Sequence, residues 1–495
     1  MYEFGRVPAE LGKIDLEKVM RFVNRFEELD GHSFMVLQHG KVVAEGWRKP
    51  YRPEYLHTLN SGTKSFIALA IGMAVEEGLL HIDDKVMDFF PEHLTNEPCE
   101  NMRKLTIRHL LTMTSGHMRG DAVTFSGWEN WIRDYMQYYI KCEPGTLFTY
   151  NSGNSNMLSA ILTKVTGIPV SEYLKSRLFE PLGMEEYYWE SLCDGTNGGG
   201  YGFNIRLEDY AKLGQLLLNK GKWQGKQLIS KEWVELLSAK QADTSKEPWT
   251  TPDRLSGYGF QFWKCRIPNV FRADGARGQF CIVLPDYDAV IVTMAAHEEL
   301  YDILEPIWEH LVPALAETSI SSPAIIQQYK ERLKNWAFIP SEGKPSSSLA
   351  GHFSRKEYVL APNPLKIERI CFQFGSKNKM QITSNAESAV IPIGSNGKWE
   401  EANNFPAFIG HQIGYYPTEK LYLKDVACSG YWEKENVYTV EVLYTRSTFI
   451  DAYTCEFTGN LVKLRYRRKA VNIGVIPSEE NRYTRLDMVG LTDSE

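Results

Sequence analysis

Apolar positions recur at helical spacing over residues 15–29, at Leu16, Val19, Met20, Phe22, Val23 and Phe26, and predict an amphipathic helix. Two short runs follow at 33–38 and 41–46, separated by His39-Gly40. Gly40 can take the positive φ of a tight turn, so the pair reads as a β-hairpin. The pattern then changes. From Phe66 to Val75 apolar residues follow one another with no proline, and the run closes near Gly78. A helix that is apolar nearly all round is a buried helix. Residues 80–200 read as helices and loops, with helices at 107–113 and 155–165, the second closed by Gly167 and Pro169. A further helix is predicted at 207–218, strands at 257–263, 280–284 and 289–294, and an amphipathic helix at 299–315.

Beyond 316 the pattern shifts again. Ser, Pro and Gly are frequent at 319–323 and 340–348, around a short charged helix near 327–335, which predicts a linker over 317–348. From 349 onward, short strands at 369–374, 379–383, 438–444, 452–457 and 461–467 alternate with turn signals and predict an all-β barrel or sandwich. The expected organisation is a first domain over 1–316, the linker, and a β-rich domain over 349–495.

A chain of 495 residues is too long for one ordinary core and fits this division. A net charge of −7 gives no basic field, which argues against a nucleic-acid partner. No apolar run is long enough to span a membrane, and Met1 to Arg6 contain no apolar signal core. The eight cysteines are scattered without a C-x-x-C pair; they read as reduced thiols in a cytoplasmic protein. Neither a metal nor another cofactor is expected. The aromatic stretch Phe125, Trp128, Trp131, Tyr135, Tyr138 and Tyr139 reads as packing or as the wall of a substrate pocket. The cluster Gly198-Gly199-Gly200-Tyr201-Gly202 lacks the strand and the G-K-[ST] of a phosphate cradle, and reads as a turn ahead of the next helix.

The candidate chemistry begins at Ser61-Gly62-Thr63-Lys64, where the buried helix opens. Positions i and i+3 share a helical face, so Lys64 lies one turn above Ser61. A serine hydroxyl needs a neighbouring base or cation to become a nucleophile, and burial depresses a lysine pKa toward that role. Free N–H groups at the helix start suit an oxyanion. Further along, Tyr150 sits on a loop just ahead of a helix, where a lysine cation would favour its phenolate. Then comes Ala273-Asp274-Gly275-Ala276-Arg277-Gly278-Gln279-Phe280, opening an edge-like strand.

In this order the three features resemble the serine β-lactamase-related family, which includes class C β-lactamases, penicillin-binding proteins, D-aminopeptidases, family VIII esterases and 6-aminohexanoate-dimer hydrolases. The resemblance covers about residues 5–315 and is supported by His32-Ser33-Phe34-Met35-Val36, by 109–116 and by 144–150. It implies an α+β fold: an antiparallel sheet of the five-stranded type flanked by helices, an all-α lobe, and the active site between them. It implies Ser61 as the acylated nucleophile, Lys64 as its activator, Tyr150 as the acid–base tyrosine, and an oxyanion hole from the N–H groups of Ser61 and Ala276. The β-rich tail resembles the lipocalin-like barrels attached to some members.

Two departures narrow the expectation. The family's Y-x-N element is Tyr150-Asn151-Ser152 here, so Ser152, or Asn154 beyond it, takes the asparagine's place at the substrate. The family's K-T-G element aligns with Ala273-Asp274-Gly275 and has lost its lysine, which helps hold a substrate carboxylate in β-lactamases and DD-peptidases. The expected substrate is therefore a small ester or amide, with Arg277 read either as a substitute cation or as a surface residue. His297 reads as a residue bordering the site or as a hydrogen-bonded structural histidine. A non-catalytic sensor on the same fold, a true β-lactamase or D-aminopeptidase, and a secreted cell-wall enzyme remain as alternatives. The sequence does not define an oligomeric state.

Overall fold

The computed structural model describes residues 3–11, 13–94, 96–118, 130–248, 251–316, 321–406, 424–469 and 485–492. Phe125 and Trp128 of the aromatic stretch and residues 317–320 of the expected linker lie outside these. Among the described residues the chain divides into two compact units, one of Met1–Trp47 with Leu56–Asn335 and the other of Arg48–Tyr55 with the chain from Trp336 onward.

In the first unit, helix α1 (Leu16–Glu28) starts at Asp15, whose carboxylate accepts from the N–H groups of Glu17 and Lys18. It buries Leu16, Val19, Phe22, Val23 and Phe26, as its apolar stripe requires. Strands β1 (Gly31–Gln38) and β2 (Lys41–Trp47) form the hairpin. Helix α2 (Thr63–Glu76) is buried from Thr63 through Ala74. Helices α3 (Ser152–Thr166) and α4 (Leu207–Leu218) pack beside it in the same apolar core. Strands β3 (Trp263–Lys264), β4 (Phe271–Gly275), β5 (Gln279–Leu284) and β6 (Ala289–Ala295) complete an antiparallel sheet in the order β2-β1-β6-β5-β4-β3. The five long strands match the expected sheet, with the two-residue β3 added at one edge.

The run 257–263 is not the strand its alternation predicts; only Trp263 enters the sheet. Gly257 has φ +113°, Gln261 has φ +60°, and a Cβ on Gly259 would lie 2.0 Å from the Leu237 carbonyl oxygen. The chain is folded into a plug instead. Its Gln261 side chain donates to the carbonyls of Leu110 and Leu111 and accepts from Ser155, while its backbone carbonyl accepts from Ser65. That one residue ties α2 and α3 together below the candidate nucleophile.

The expected linker is divided between the units. Pro323–Lys334 is a helix packed on α1, with Arg332 bonded to Asn24 and Glu27. From Trp336 the chain belongs to the second unit, where Trp336 is fully buried. Arg48–Tyr55 joins that unit too: the Arg48 guanidinium lies 3.7 Å from the Phe338 ring centre, and the Lys49 N–H donates to the Trp336 carbonyl. The second unit is a nearly closed barrel of ten antiparallel strands: β7 (Glu357–Leu360), β8 (Ile367–Gln373), β9 (Asn378–Ser384), β10 (Glu387–Ile393), β11 (Glu400–Ala402), β12 (Val426–Lys434), β13 (Val437–Tyr444), β14 (Ile450–Thr458), β15 (Leu461–Lys469) and β16 (Arg485–Thr492). Their order is β10-β9-β8-β7-β16-β15-β14-β13-β12-β11, and a bridge between Gly394 and Ser429 draws the two ends together. Along β14 the alternation buries Asp451, Tyr453, Cys455 and Phe457 inside.

Candidate active site

Ser61 lies in a single 3-10 turn, Asn60–Gly62, that runs directly into α2. Lys64, one turn on, places its Nζ 3.0 Å from Ser61 Oγ. The same Nζ donates to Ser152 Oγ at 3.1 Å and to the Gly200 carbonyl at 2.6 Å. Three acceptors match the three hydrogens of an ammonium group. Lys64 is 1% exposed, and burial pushes its pKa down to about 7, opposed by the charge of Asp274.

Tyr150 is fixed because the next residue, Asn151, caps α3 by accepting from the Gly153 N–H at 2.8 Å. Helix α3 therefore begins at Ser152, three residues before the predicted start. The Tyr150 ring stacks on Trp263 at 5.7 Å and meets Tyr258 edge-on at 6.3 Å, and Lys64 Nζ lies 5.0 Å from its centre. Burial pushes the phenol well above its usual pKa, while a hydrogen bond with Ser61 pulls the other way. The phenolate expected from the neighbouring lysine is thus not the resting form; the group is held as a neutral phenol.

The third element docks against the first. A Cβ on Gly275 would sit 2.0 Å from the Leu59 carbonyl oxygen, so only glycine lets β4 approach the turn that carries Ser61. Asn60, with φ +48°, donates from Nδ2 to the Ala276 carbonyl at 2.8 Å, and Gln279 donates to the same oxygen at 3.0 Å. The Gly275 carbonyl accepts from the Gly278 N–H at 3.2 Å. Across a planar trans peptide the N–H of Ala276 then points away from β5. On that side β4 is an edge there, because β3 pairs only with Phe271 and Arg272. Ser61, Tyr150, Ser152 and Ala276 are each partly exposed, whereas Lys64 is buried.

The remaining candidates are placed differently. Asn154 is fully buried; its Oδ1 accepts from Tyr135 at 2.8 Å, and Ser152 is the residue that meets Lys64. Asp274 is buried and accepts from Arg272 Nε at 2.9 Å. Arg277, at the hairpin tip with φ +70°, is 4% exposed and is not a surface arginine. His297 is paired with Asp302 at 3.2 Å, as a hydrogen-bonded histidine would be. A cavity of about 270 Å³ lined by Arg108, His109, Thr114, Phe148 and Lys246 contains none of Ser61, Lys64 or Tyr150.

The glycine cluster contributes more than a turn. A Cβ on Gly199 would lie 1.9 Å from the Ser155 carbonyl oxygen, and one on Gly200 would lie 2.8 Å from Ser152 Cβ. The bare backbone can therefore press against α3, where Asn156 Oδ1 accepts from both Gly199 and Gly200 N–H at 2.9 Å. This holds the Gly200 carbonyl over Lys64. The only sequence signal was the run of small residues itself; nothing in it named the lysine as a partner.

The antiparallel sheet with helices packed against it is a β-lactamase-like fold. The Beta-lactamase family pattern matches residues 19–307, and the chain belongs to that family of serine hydrolases. A 6-aminohexanoate-dimer hydrolase of Paenarthrobacter ureafaciens is 24% identical over 297 residues, 55% of this chain and 74% of that one. A candidate penicillin-binding protein of Bacillus subtilis is 29% identical over 161 residues, 30% of this chain and 39% of that one. Among solved structures, a candidate 6-aminohexanoate-dimer hydrolase from Bacillus anthracis superposes with a TM-score of 0.53 at 21% identity, over 64% of this chain and 87% of that one. All eight cysteines are free thiols. Among the described residues no helix is long and apolar enough to cross a membrane.

Proposed function

We propose that the chain cleaves a small ester or amide through an acyl-enzyme on Ser61. The observation that carries this reading is the 3.0 Å contact between Ser61 Oγ and a lysine whose pKa burial brings to about 7. Above that pH the amine is neutral and takes the Ser61 proton as Oγ attacks the carbonyl carbon. The oxyanion falls between the N–H groups of Ser61 and Ala276. Tyr150, a neutral phenol, gives its proton to the leaving oxygen or nitrogen and recovers one from the Lys64 ammonium. Water then enters, loses a proton to the same pair, and releases the acid as Ser61 regains its hydrogen. The relative named for 6-aminohexanoate-dimer hydrolysis makes an amide a reasonable member of the substrate class.

The test is intact-mass analysis with a slowly hydrolysed ester. A single acyl adduct mapped to Ser61, absent in Ser61→Ala together with turnover, is the expected result. An adduct on another serine, or undiminished turnover in Ser61→Ala, would refute the reading. The sensor alternative predicts no adduct at all.

A further inference from the structure

Helix α3 crosses the apolar core with a polar stripe on one face. Ser152, Asn156 and Ser159 stand at i, i+4 and i+7, while Met157, Leu158 and Ile161 join the core. Ser152 Oγ accepts from Lys64 Nζ at 3.1 Å. Asn156 Oδ1 accepts from the N–H groups of Gly199 and Gly200, both at 2.9 Å. Ser159 Oγ donates to the Asn197 carbonyl at 2.6 Å, and Trp189 Nε1 donates to the Gly198 carbonyl at 2.8 Å. Asn156 thus takes the last two N–H groups before the Gly200 carbonyl, which accepts from Lys64 Nζ at 2.6 Å.

Asn156 is 1% exposed, and its Nδ2 is buried without an acceptor among the described residues. An atom set between two N–H donors must be the oxygen, so the amide cannot turn over to satisfy its nitrogen. An unmade bond in the core is costly. A leucine of similar size would avoid that cost but would leave the N–H groups of Gly199 and Gly200 bare. What the side chain provides is therefore its oxygen. The Gly200 carbonyl can only accept. A neutral lysine amine has two N–H bonds and one lone pair. With one N–H committed to Gly200, the lone pair cannot turn away from the two serines. In the ammonium form the same carbonyl receives a charge-assisted bond, which favours the charged form. The titratable groups around Lys64 lie on other elements. Asp274 on β4 acts on it by charge, and the Tyr150 ring centre is 5.0 Å from Nζ. A Cβ on Gly62 would lie 2.6 Å from the Tyr210 hydroxyl of α4, and one on Gly202 would lie 2.8 Å from Glu190 Cβ.

We propose that Asn156 is a positioning residue: its buried oxygen aims the Gly200 carbonyl at Lys64 and so confines the lone pair of the neutral amine to the side of Ser61 and Ser152. The inference rests on the acyl-enzyme reading, in which that amine takes the Ser61 proton.

The test follows kcat/KM for p-nitrophenyl acetate, and the rate of Ser61 acylation by intact mass, against pH in Asn156→Leu and Asn156→Asp. Asn156→Leu keeps the size and removes the acceptor. It should lower kcat on the order of 10²-fold, the worth of an ångström-scale misplacement. Its rising limb should move to lower pH by about one unit, because the ammonium loses a hydrogen bond. Asn156→Asp keeps an oxygen for both N–H groups and adds negative charge. It should retain most of kcat above the limb and move the limb to higher pH. A residue that serves only the fold would change the amount of active protein and leave both limbs at the wild-type pH, which overturns the proposal. Shifts of the same sign in the two variants overturn it too. If Asn156→Leu does not fold, Asn156→Asp decides alone, and a lost kcat or an unmoved limb there refutes the assignment. A Ser61 adduct whose pH profile is unmoved in both variants refutes this inference only, whereas no Ser61 adduct in wild type refutes it together with the acyl-enzyme reading.

Discussion

Gly275 and Leu59 approach so closely that a Cβ on the glycine would lie 2.0 Å from the leucine carbonyl oxygen. The contact is backbone to backbone, so no side-chain rotation relieves it. It also sits one residue from Asn60, whose amide holds the Ala276 carbonyl, and two from Ser61. Gly275→Ala should cost about 1–3 kcal/mol of stability, the usual worth of overpacking. It should also lower kcat on the order of 10²-fold, because an ångström-scale shift separates the nucleophile from the oxyanion donors. A thermal melt and ester kinetics check both; wild-type kcat in the variant would show that the hairpin does not position the site.

In the proposed mechanism Lys64 sets the pH dependence. As a base it works only when neutral, so kcat/KM should rise through a pH near 7, the value to which burial brings it. Asp274 opposes burial by favouring the ammonium form. Removing its charge makes the lysine less basic, so Asp274→Asn should move the rising limb to lower pH. Tyr150 must stay protonated as the acid, and burial keeps it so well past pH 10, so its titration adds no falling limb below that. A limb that moves to higher pH in Asp274→Asn would contradict this assignment of roles.

Arg48–Tyr55 depends on Phe338. Arg48 lies over its ring, Tyr51 packs on it at 5.8 Å, and the Phe338 N–H donates to the Lys49 carbonyl. Phe338 is 7% exposed, and Phe338→Ala should cost about 3–5 kcal/mol in the second unit. Limited chymotrypsin digestion should then cut after Tyr51 or Tyr55 in the variant before it does in wild type. Equal resistance would mean that the segment is held by other contacts.

The placement of Ser61, Lys64 and Tyr150, the proposed catalytic residues, was legible because their spacing is local. Ser61 and Lys64 are one helical turn apart, and Tyr150 directly precedes a capped helix, so periodicity alone places each on its element. The barrel strands were legible for the same reason, through their alternation. What escaped were relationships that join distant segments. Gly200 serves Lys64 from 136 residues away, and a glycine run carries no record of which carbonyl it frees. Gln261 turns a strand-like run into a plug because its amide satisfies Leu110 and Leu111, which alternation cannot reveal. Asn154 looked equivalent to Ser152, yet two residues on a helix differ by about 200°; one faces Lys64 and the other Tyr135. The tie of Arg48–Tyr55 to the second unit escaped because its partners lie some 290 to 400 positions later.

The strictest test of the mechanism concerns Lys64 and Tyr150 together. Both are hydrogen-bonded to Ser61, and in the proposed mechanism both act on one proton that passes from the nucleophile to the leaving group. Tyr150→Phe removes only the hydroxyl and keeps the ring stacked on Trp263. Lys64→Met keeps most of the buried volume while removing the base. Each variant should lose on the order of 10²–10⁴ in kcat, the usual contribution of a positioned acid or base. Once either is gone the proton relay is already broken, and the other has little left to contribute. The double variant should therefore fall only slightly below the worse single one, as residues that act as a unit do. Melting temperatures measured alongside separate this from simple loss of fold. If the two losses multiply in full, Lys64 and Tyr150 serve independent steps, and the shared relay through Ser61 is wrong.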